Sequence, residues 1–423
     1  MRDKILKIVR NEYLYSILTK FITVAISLAE SVILARYLGA SLKGTYAYIS
    51  SITSIGSTVI TFGMHQAYPY LRKKYGKDEI YEDYMSAIVV LYLIYMVVAL
   101  IVGLLFISDI EIKAAILMIP LMGYTNVVNY VCLVETPNKK NTVETISTFV
   151  YVLFLAILWL FTKSTFAWAV VILAFSSVLR AIVFTAIVRP RVHIHKDFFR
   201  VVIDLFSIGF FPMLALLMTT LNYQIDVLML KQYTFITAAQ IGVYSIGISV
   251  SNKMVLIPDT LKGVMVSKLA KGADEKEVAR VLRLCLCAGC MLCIVFLILG
   301  NWVIGILYGN EYAGAYEIMA ISAIGAVMIG YFKLIAQYNI VNGNQKYTVG
   351  LLSISIVLNV ILNLLFIPKW NANGAALATC LSHIACGFIF SIWFSRKGKV
   401  GFPVLFIPQK NDFEVFRTFF RKN

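Results

Sequence analysis

Twelve apolar stretches of about 20 residues each follow one another along this chain, separated by short polar connections. A helix of about 20 residues rises about 30 Å, which matches the hydrocarbon thickness of a bilayer. With 60% apolar and 14% charged residues, the composition excludes an ordinary soluble fold. The sequence therefore predicts an all-α integral membrane protein. The predicted spans are 13–35, 44–70, 84–107, 113–135, 142–162, 166–188, 202–230, 240–266, 283–307, 317–341, 348–367 and 374–395.

The net charge of +16 is distributed unevenly among the connections. Lys and Arg concentrate in the N-terminal segment, in alternate connections and in the tail. The remaining connections carry Arg36, Lys43, Lys113, Lys163, Lys231 and Lys369. This asymmetry follows the positive-inside rule and predicts that both termini are cytoplasmic. Because the rule accounts for the charge, we expect no nucleic-acid partner.

Spans one and seven begin similar hairpins. The stretches ESVILARYLGASLKGTYAYISSITSI and DVLMLKQYTFITAAQIGVYSIGISVS each place an acid, Glu30 or Asp226, five or six residues before a base, and Gly-x-Tyr follows. Two parallel halves of six spans would form two lobes around a central cleft. The predicted organisation is an N-terminal lobe at 1–188, a cytoplasmic linker at 189–201, a C-terminal lobe at 202–395 and a basic cytoplasmic tail at 396–423.

Basic residues within or beside the spans are candidates for substrate binding. A charge at mid-bilayer costs roughly 3 kcal/mol, so it normally faces a wet cavity, a partner or a transport pathway. The candidates are Lys20, Arg36, Arg180, Lys253 and Lys333. Lys253 lies at the centre of its span, too far from either interface for its side chain to reach water. Snorkelling of Lys20 or Lys333, and an ion pair between Arg180 and a carboxylate, are open alternatives.

Two carboxylates are candidates for ion coupling. Glu30 and Asp226 occupy matching positions in the outer thirds of spans one and seven. A carboxylate in a helix bundle can take up a proton or Na⁺, as an ion-coupled exporter requires. Ion pairs with bases at the outer ends of these spans, such as Arg36 or Lys231, are equally compatible with the sequence.

Three further residues are candidates for a gate. Asp259 and Lys262 lie one helical turn apart, just beyond Pro258, which should kink the eighth span because it lacks an amide hydrogen. They would form a local ion pair or an inner gate. His65, in the second span, is either a group that titrates near neutral pH or a hydrogen-bonded packing residue.

Three stretches of the chain carry a family resemblance. SILTKFITVAISLAESVILARYLGASLKGTYAYI, ILYGNEYAGAYEIMAI and NVILNLLFIPKWNANGAALAT resemble the polysaccharide transporter (oligosaccharide flippase) family of the multidrug/oligosaccharidyl-lipid/polysaccharide exporter superfamily. The resemblance implies a flippase in the bacterial cytoplasmic membrane that moves undecaprenyl-pyrophosphate-linked oligosaccharide to the outer leaflet for capsule or exopolysaccharide synthesis. It also implies a polysaccharide polymerase and an initiating glycosyltransferase as partners.

Two other functions are compatible with twelve spans. A polysaccharide polymerase or ligase would carry a long external loop with Arg or His, whereas the connections here are short. A drug exporter would favour an acidic or aromatic cavity, whereas the charges within these spans are mainly Lys and Arg. The G-x-x-x-x-G-K-[ST] motif of ATP-binding loops does not occur. We therefore expect a transporter rather than an enzyme, with no metal or cofactor other than H⁺ or Na⁺ as the coupling ion.

Overall fold

The computed structural model describes residues 12–190, 198–270, 274–409 and 412. These residues form α-helices joined by short turns, and no β-strand occurs among them. The helices are α1 (Glu12–Thr61), α2 (Met64–Tyr75), α3 (Lys77–Leu105), α4 (Ile110–Glu135), α5 (Pro137–Phe161), α6 (Phe166–Val188), α7 (Phe198–Gln232), α8 (Ala238–Ser251), α9 (Leu256–Ala270), α10 (Glu275–Tyr308), α11 (Ala315–Val341) and α12 (Gln345–Gly398). Turns of 3₁₀ helix occupy Asn252–Val255, Asn310–Tyr312 and Phe402–Leu405.

Within the described residues, ten segments are long and apolar enough to cross a membrane. Two of them, Ile22–Tyr75 and Gln345–Gly398, are 54 residues long. A straight helix of that length would measure about 80 Å, far more than a bilayer. The backbone leaves the helical conformation at Gly39 (φ 69°) in α1 and at Asn371 (φ 53°) in α12. Each long segment therefore holds two spans, and the described chain contains the twelve that the sequence predicts.

The two halves of α12 form an antiparallel hairpin around Asn371. The Asn359 amide donates a hydrogen bond to the Ser382 hydroxyl at 3.2 Å. Nearer the turn, the backbone at Gly374 approaches the Phe366 carbonyl so closely that a Cβ on Gly374 would lie 2.2 Å from its oxygen. Residue numbers thus rise along one half as they fall along the other, so the chain reverses at Asn371.

The two halves of α1 pack on different helices. In the first half, the Tyr37 hydroxyl forms a 2.7 Å hydrogen bond with the Thr162 hydroxyl just beyond α5. In the second half, the Thr45 hydroxyl donates to Glu111 at the start of α4, at 3.3 Å. Because α4 and α5 are consecutive helices joined by one residue, these contacts place the Gly39 turn where α4 begins and α5 ends.

Side-chain caps start three of the helices. Asp109 accepts hydrogen bonds from two backbone amides in the first turn of α4, Thr165 accepts one in α6, and Asp274 accepts one in α10. These caps satisfy amides that have no partner within the helix. These capping residues determine where the three helices begin.

The chain divides into two compact units, Met1–Leu228 with Thr237–Gly242, and Met229–Ile236 with Val243–Asn423. A core that includes Tyr68, Tyr84 and Phe184 lies in the first unit. In the second unit, α11 is buried along most of its length, and Phe390 of α12 is fully buried. The lobe boundaries that the sequence predicts, at 188 and 202, stay predictions.

The segment that follows α12 folds back onto the second unit. Arg283 of α10 donates hydrogen bonds at 2.6 Å to each carboxylate oxygen of Asp412 and a third, at 2.8 Å, to the Val404 carbonyl. Asp412 is buried, and the hydrogen bonds from Arg283 hold the pKa of its carboxyl below the ordinary value. The Tyr331 hydroxyl donates to the Leu405 carbonyl at 2.9 Å. The beginning of the predicted basic tail is therefore docked rather than extended.

Candidate functional site

Lys253 lies where the eighth span is interrupted. The 3₁₀ turn Asn252–Val255 separates α8 from α9, and the Lys253 side chain is half-buried. Pro258 has no amide hydrogen to offer the Met254 carbonyl, and the Leu256 amide contacts that carbonyl instead. The predicted kink therefore takes the form of a break just before Pro258. The backbone of Lys253 lies about 5 Å along the helix axis from the midpoint of the Ala238–Lys262 segment.

An ion pair links two helices of the second unit beside this break. Lys333 of α11 contacts Asp259 of α9, with 3.0 Å between Nζ and Oδ1. The two side chains are 21% and 36% exposed, so the pair is partly screened by solvent. Lys333, predicted as a substrate contact, thus has a carboxylate partner. Lys262, the predicted partner of Asp259, has an exposed side chain.

The first unit gathers two predicted site residues around two tyrosines. Glu30 and Arg180 both interact electrostatically with the Tyr46 and Tyr151 side chains. Glu30 also interacts with Lys43. These five residues come from both halves of α1, from α5 and from α6, and we call them the Glu30 cluster. The structure thus combines a candidate ion-coupling carboxylate with a candidate substrate-binding cation.

The Glu30 cluster lies against apolar side chains. Tyr151 is 2% exposed and belongs to a buried core with Leu34, Tyr37 and Leu155. Its ring stacks on Phe175, with 6.5 Å between centroids. Glu30, Lys43 and Arg180 are half-buried, so their interactions are less screened by solvent than those of exposed charges. The arrangement can favour exchange of a proton or a small cation at Glu30.

Asp226 shares one face of α7 with Asn222. Asp226 is 3% exposed, and Asn222, one helical turn earlier, is fully buried. Among the described residues, neither side-chain polar atom of Asn222 has a hydrogen-bond partner. Burying an amide that has no hydrogen-bond partner costs free energy. This face of α7 therefore carries polar groups in an apolar environment. The carboxylate predicted from the repeat is therefore buried, as an ion-coupling group would be.

The remaining predicted site residues are His65, Arg36 and Lys20. His65 is buried at the start of α2, with its ring edge-to-face on Tyr130 at 5.1 Å between centroids. This contact fits the packing alternative. Arg36 has an exposed side chain near the Gly39 turn. Lys20 belongs to α1, but its side chain lies outside the described part of the chain.

Two glycines from the internal repeat lie against each other. A Cβ on Gly44 would lie 1.8 Å from the Ala238 carbonyl oxygen, and one on Gly242 would lie 2.0 Å from the Ala40 carbonyl oxygen. The contact is reciprocal, because equivalent residues of the two hairpins meet equivalent partners. We call it the Gly44 crossing, and it permits α1 and the start of α8 to approach backbone to backbone.

A second backbone approach joins the end of α1 to α7. A Cβ on Gly63 would lie 2.2 Å from the Gly209 carbonyl oxygen, and one on Gly209 would lie 2.2 Å from the Phe62 carbonyl oxygen. Both Phe62 (φ 47°) and Gly63 (φ 67°) are left-handed, which breaks the helix between α1 and α2. We call this contact the Gly63 crossing.

The two crossings lie at opposite ends of one membrane span. Nineteen residues separate Gly44 from Gly63 along the second half of α1. At about 1.5 Å per residue, the two glycines are about 28 Å apart, close to the thickness of the hydrocarbon core. Between them, Ser51 donates to Gln224 at 2.8 Å. Polar contacts therefore bridge α1 and α7 within the membrane, with a tight backbone contact at each end.

Sequence reasoning missed a charged contact in the first unit. Glu135, the last residue of α4, accepts hydrogen bonds from Arg72 at 2.6 Å and from the Tyr68 hydroxyl at 2.7 Å. In the sequence, Arg72 is one of several bases that follow the second span, and no pattern marks Glu135. The one signal was position, because both residues lie where a span meets water. The sequence alone does not show that these two side chains meet.

A family model identifies the family to which this chain belongs. A model described as "Polysaccharide biosynthesis protein" matches residues 9–258. The chain belongs to this family. An uncharacterized membrane protein of Methanocaldococcus jannaschii is 32% identical over 97 residues, which is 22% of this chain and 18% of that protein. The chain thus aligns with less than a fifth of this curated relative's length.

Solved structures share the fold at low sequence identity. "Lipid II flippase MurJ, inward closed conformation" gives a TM-score of 0.73 at 16% identity and covers 90% of this chain and 87% of that chain. An inward-facing multidrug resistance MATE family transporter of the MOP superfamily gives 0.67 at 12% identity, covering 91% and 98%. A MOP superfamily transporter from Pyrococcus furiosus gives 0.57 at 10% identity, covering 93% and 96%.

Together, the family match and the fold confirm several predictions. The chain is a multi-pass, all-α membrane protein with the fold of flippases and exporters. It belongs to a polysaccharide biosynthesis family, as the resemblance in the sequence indicated. The solved structures that share this fold are described as a lipid II flippase and as transporters of the MATE family and the MOP superfamily.

Proposed function

We propose that the protein moves a polyprenyl-pyrophosphate-linked oligosaccharide from the cytoplasmic to the outer leaflet by alternating access, and so supplies capsule or exopolysaccharide synthesis. The observation that carries the proposal is Lys253. This residue lies in the 3₁₀ turn Asn252–Val255 of the eighth span, three residues from the middle of the Ala238–Lys262 segment. A pyrophosphate that leaves water needs positive countercharge at this depth. Broken helices at mid-membrane are where transporters bind charged substrates.

The chemistry of lysine suits a cargo that must be released. Its ammonium is a compact point charge on a flexible stem, without the fixed bidentate fork of arginine. Lys253 can therefore follow a phosphate over a short distance and then let it go. The family supports a polysaccharide precursor as cargo, and MurJ, a lipid II flippase by its description, shares the fold.

The two glycine crossings supply barriers for alternating access. Each is a backbone contact at one end of the same span, so each can close one side of a pathway. We propose that the Gly44 crossing closes the outer side and the Gly63 crossing the cytoplasmic side, and that they open in turn. The left-handed break at Phe62 and Gly63 provides a position where α1 and α2 can change their angle.

The Glu30 cluster is the proposed coupling site. Glu30 exchanges a proton or Na⁺, while Lys43 and Arg180 limit how strongly the cation is held. An imposed ion gradient should then accelerate transport by the unmodified protein and have no effect on Glu30→Gln. The measurement is the initial rate of transport in proteoliposomes, with and without the gradient. An initiating glycosyltransferase upstream and a polysaccharide polymerase downstream are the proposed partners.

The decisive experiment follows the leaflet exposure of a labelled polyprenyl-pyrophosphate oligosaccharide in proteoliposomes. We expect Lys253→Ala to reduce transport at least tenfold. Lys276→Ala is the matched control, because it removes an exposed lysine at the start of α10 and should leave transport unchanged. Equal transport by the unmodified protein and Lys253→Ala would discard Lys253 as the cargo site. If the unmodified protein exports small cationic drugs and leaves the lipid-linked sugar in place, the proposed cargo is wrong.

A further inference from the structure

A groove lies on the surface of the second unit, between the two halves of α12. It has a volume of about 510 Å³ and is lined by Leu351, Ile389, Ile392, Trp393, Arg396 and Lys397. Such a volume falls within the range of ordinary small-ligand sites. None of these residues belongs to the Glu30 cluster, to the Lys253 break or to either glycine crossing.

The lining changes from apolar to cationic along one helical face. Ile389, Ile392, Trp393 and Arg396 follow the 3–4 residue spacing that places side chains in one row along α12. Ile389 and Arg396 are seven residues apart, or about 10 Å along the axis. In a bilayer, the apolar end would lie toward the hydrocarbon and the cationic end toward the headgroups.

Aromatic side chains mark the level of the interface. Trp393 lies between the isoleucines and the cations, which is the depth where tryptophan concentrates in membrane proteins. Its ring contacts Tyr347 at 5.5 Å between centroids, and the Lys346 ammonium lies 5.5 Å from the centre of the Tyr347 ring. A third cation thus flanks the headgroup end of the groove.

The cationic end is open to a ligand. Arg396 and Lys397 both have exposed side chains. Arginine and lysine close together at the headgroup level attract anionic lipid, because each contributes about fivefold to binding at a charged surface. The apolar floor, in contrast, would exclude a free phosphate or a hydrophilic anion.

We propose that this groove binds one anionic membrane phospholipid. Its acyl chain would lie along Leu351, Ile389 and Ile392, and its phosphate would contact Arg396 and Lys397. The site is independent of the proposed cargo, since it lies on the surface of the second unit and involves none of the transport residues. The bound lipid would fasten the two halves of α12 together at one end of their hairpin.

Native mass spectrometry of the full-length protein in detergent tests this proposal without any transport measurement. The probes are phosphatidylglycerol and phosphatidylcholine with identical acyl chains. We expect the unmodified protein to retain one phosphatidylglycerol and not phosphatidylcholine. The double variant Arg396→Gln/Lys397→Gln should bind it about thirtyfold more weakly, since two surface cations are removed. Lys276→Gln/Lys399→Gln is the control, because it removes two exposed lysines of the same unit that do not line the groove.

A second variant tests the apolar floor. Leu351→Trp fills the groove and leaves its cations in place, so it should also release the phospholipid. Unchanged binding in Arg396→Gln/Lys397→Gln, or equal retention of both phospholipids, would overturn the proposal. Unchanged binding in Leu351→Trp would show that the acyl chain lies elsewhere and overturn it too. A competition with polyprenyl phosphate completes the test, because displacement of phosphatidylglycerol at equal concentration would assign the groove to the carrier lipid instead.

Discussion

At both the Gly44 and the Gly63 crossing, two backbones approach closely, but glycine permits this approach in different ways. At the Gly44 crossing, regular helices meet through glycines of normal helical conformation, and the contact is reciprocal between repeat-related residues. At the Gly63 crossing, the backbone is broken, and Gly63 has a φ of 67°. The first contact depends only on the lack of a side chain. The second depends on that and on a conformation that glycine adopts at little cost.

This difference indicates which end of the span can move. A contact between two regular helices opens by separation of rigid bodies. A contact beside a left-handed break can also open by rotation about Phe62 and Gly63. We therefore expect α1 and α2 to change their angle at the Gly63 crossing, whereas α1 and α8 separate as straight segments at the Gly44 crossing.

Gly63→Ala should have the largest effect on stability. It adds a methyl group against the Gly209 carbonyl and forces alanine into the left-handed region. Overpacking costs about 2 kcal/mol and the conformation about 1 kcal/mol, so we expect a loss of about 3 kcal/mol. The measurement is the free energy of unfolding in mixed detergent micelles.

Gly343→Ala is the matched control for Gly63→Ala. Gly343 follows α11 and has a similar positive φ, of 71°, but a Cβ there would meet no atom within 4 Å. Only the conformational cost of about 1 kcal/mol remains. If both variants lose the same free energy of unfolding, the approach of Gly209 to Gly63 does not affect stability, and the Gly63 crossing is not a tight contact.

Gly44→Ala should cost about 2 kcal/mol, less than Gly63→Ala, because only the steric part applies. Gly305→Ala serves as the control, since Gly305 is helical and a Cβ there would meet no atom within 4 Å. That variant should be neutral or slightly stabilising, because alanine favours helix more than glycine does. Denaturation of the two variants under the same conditions measures the difference. A Gly44→Ala protein as stable as Gly305→Ala would contradict the close backbone contact.

The reciprocity of the Gly44 crossing predicts non-additive substitutions. Gly242→Ala should cost as much as Gly44→Ala, since each methyl group meets the carbonyl of an equivalent alanine. Once one methyl group has separated the helices, the second meets less resistance. The double variant should therefore lose about 1 kcal/mol less free energy of unfolding than the two single variants lose together. Strict additivity in a double-mutant cycle would mean that the two glycines do not share one contact.

Thr220→Val should have the smallest effect. Thr220 forms a 3.3 Å hydrogen bond with Thr58 between the two crossings. Its loss removes one hydrogen bond and should cost about 1 kcal/mol, measured by the same unfolding experiment. A loss as large as that of Gly63→Ala would show that polar contacts between α1 and α7, rather than glycine contacts, hold the span.

The sequence predicts the spans because apolar length is a local property. The twelve stretches, the hairpin turn near Gly39 and the helix break before Pro258 all follow from residues close together in the chain. The acids Glu30 and Asp226 were found through the repeat, which is also visible in the sequence. Residues close together in the chain are therefore sufficient to predict the helices and several candidate residues.

Partners across the chain could not be predicted in the same way. Asp259 was predicted to pair with Lys262 one turn away, and nothing in the sequence indicates its contact with Lys333. The close glycine contacts also join residues that are far apart in sequence, as with Gly44 and Ala238. Helix packing decides these contacts, and a single sequence does not specify which helix faces which.

The most direct test of the transport mechanism is to lock α1 to α7 and measure transport. The Thr58 and Thr220 hydroxyls are 3.3 Å apart, so Thr58→Cys/Thr220→Cys places two thiols within bonding reach, in a background without the seven native cysteines. In proteoliposomes with the labelled lipid-linked oligosaccharide, oxidation should reduce transport to the protein-free background, and dithiothreitol should restore it. Undiminished transport by the fully cross-linked protein would contradict alternating access through these crossings.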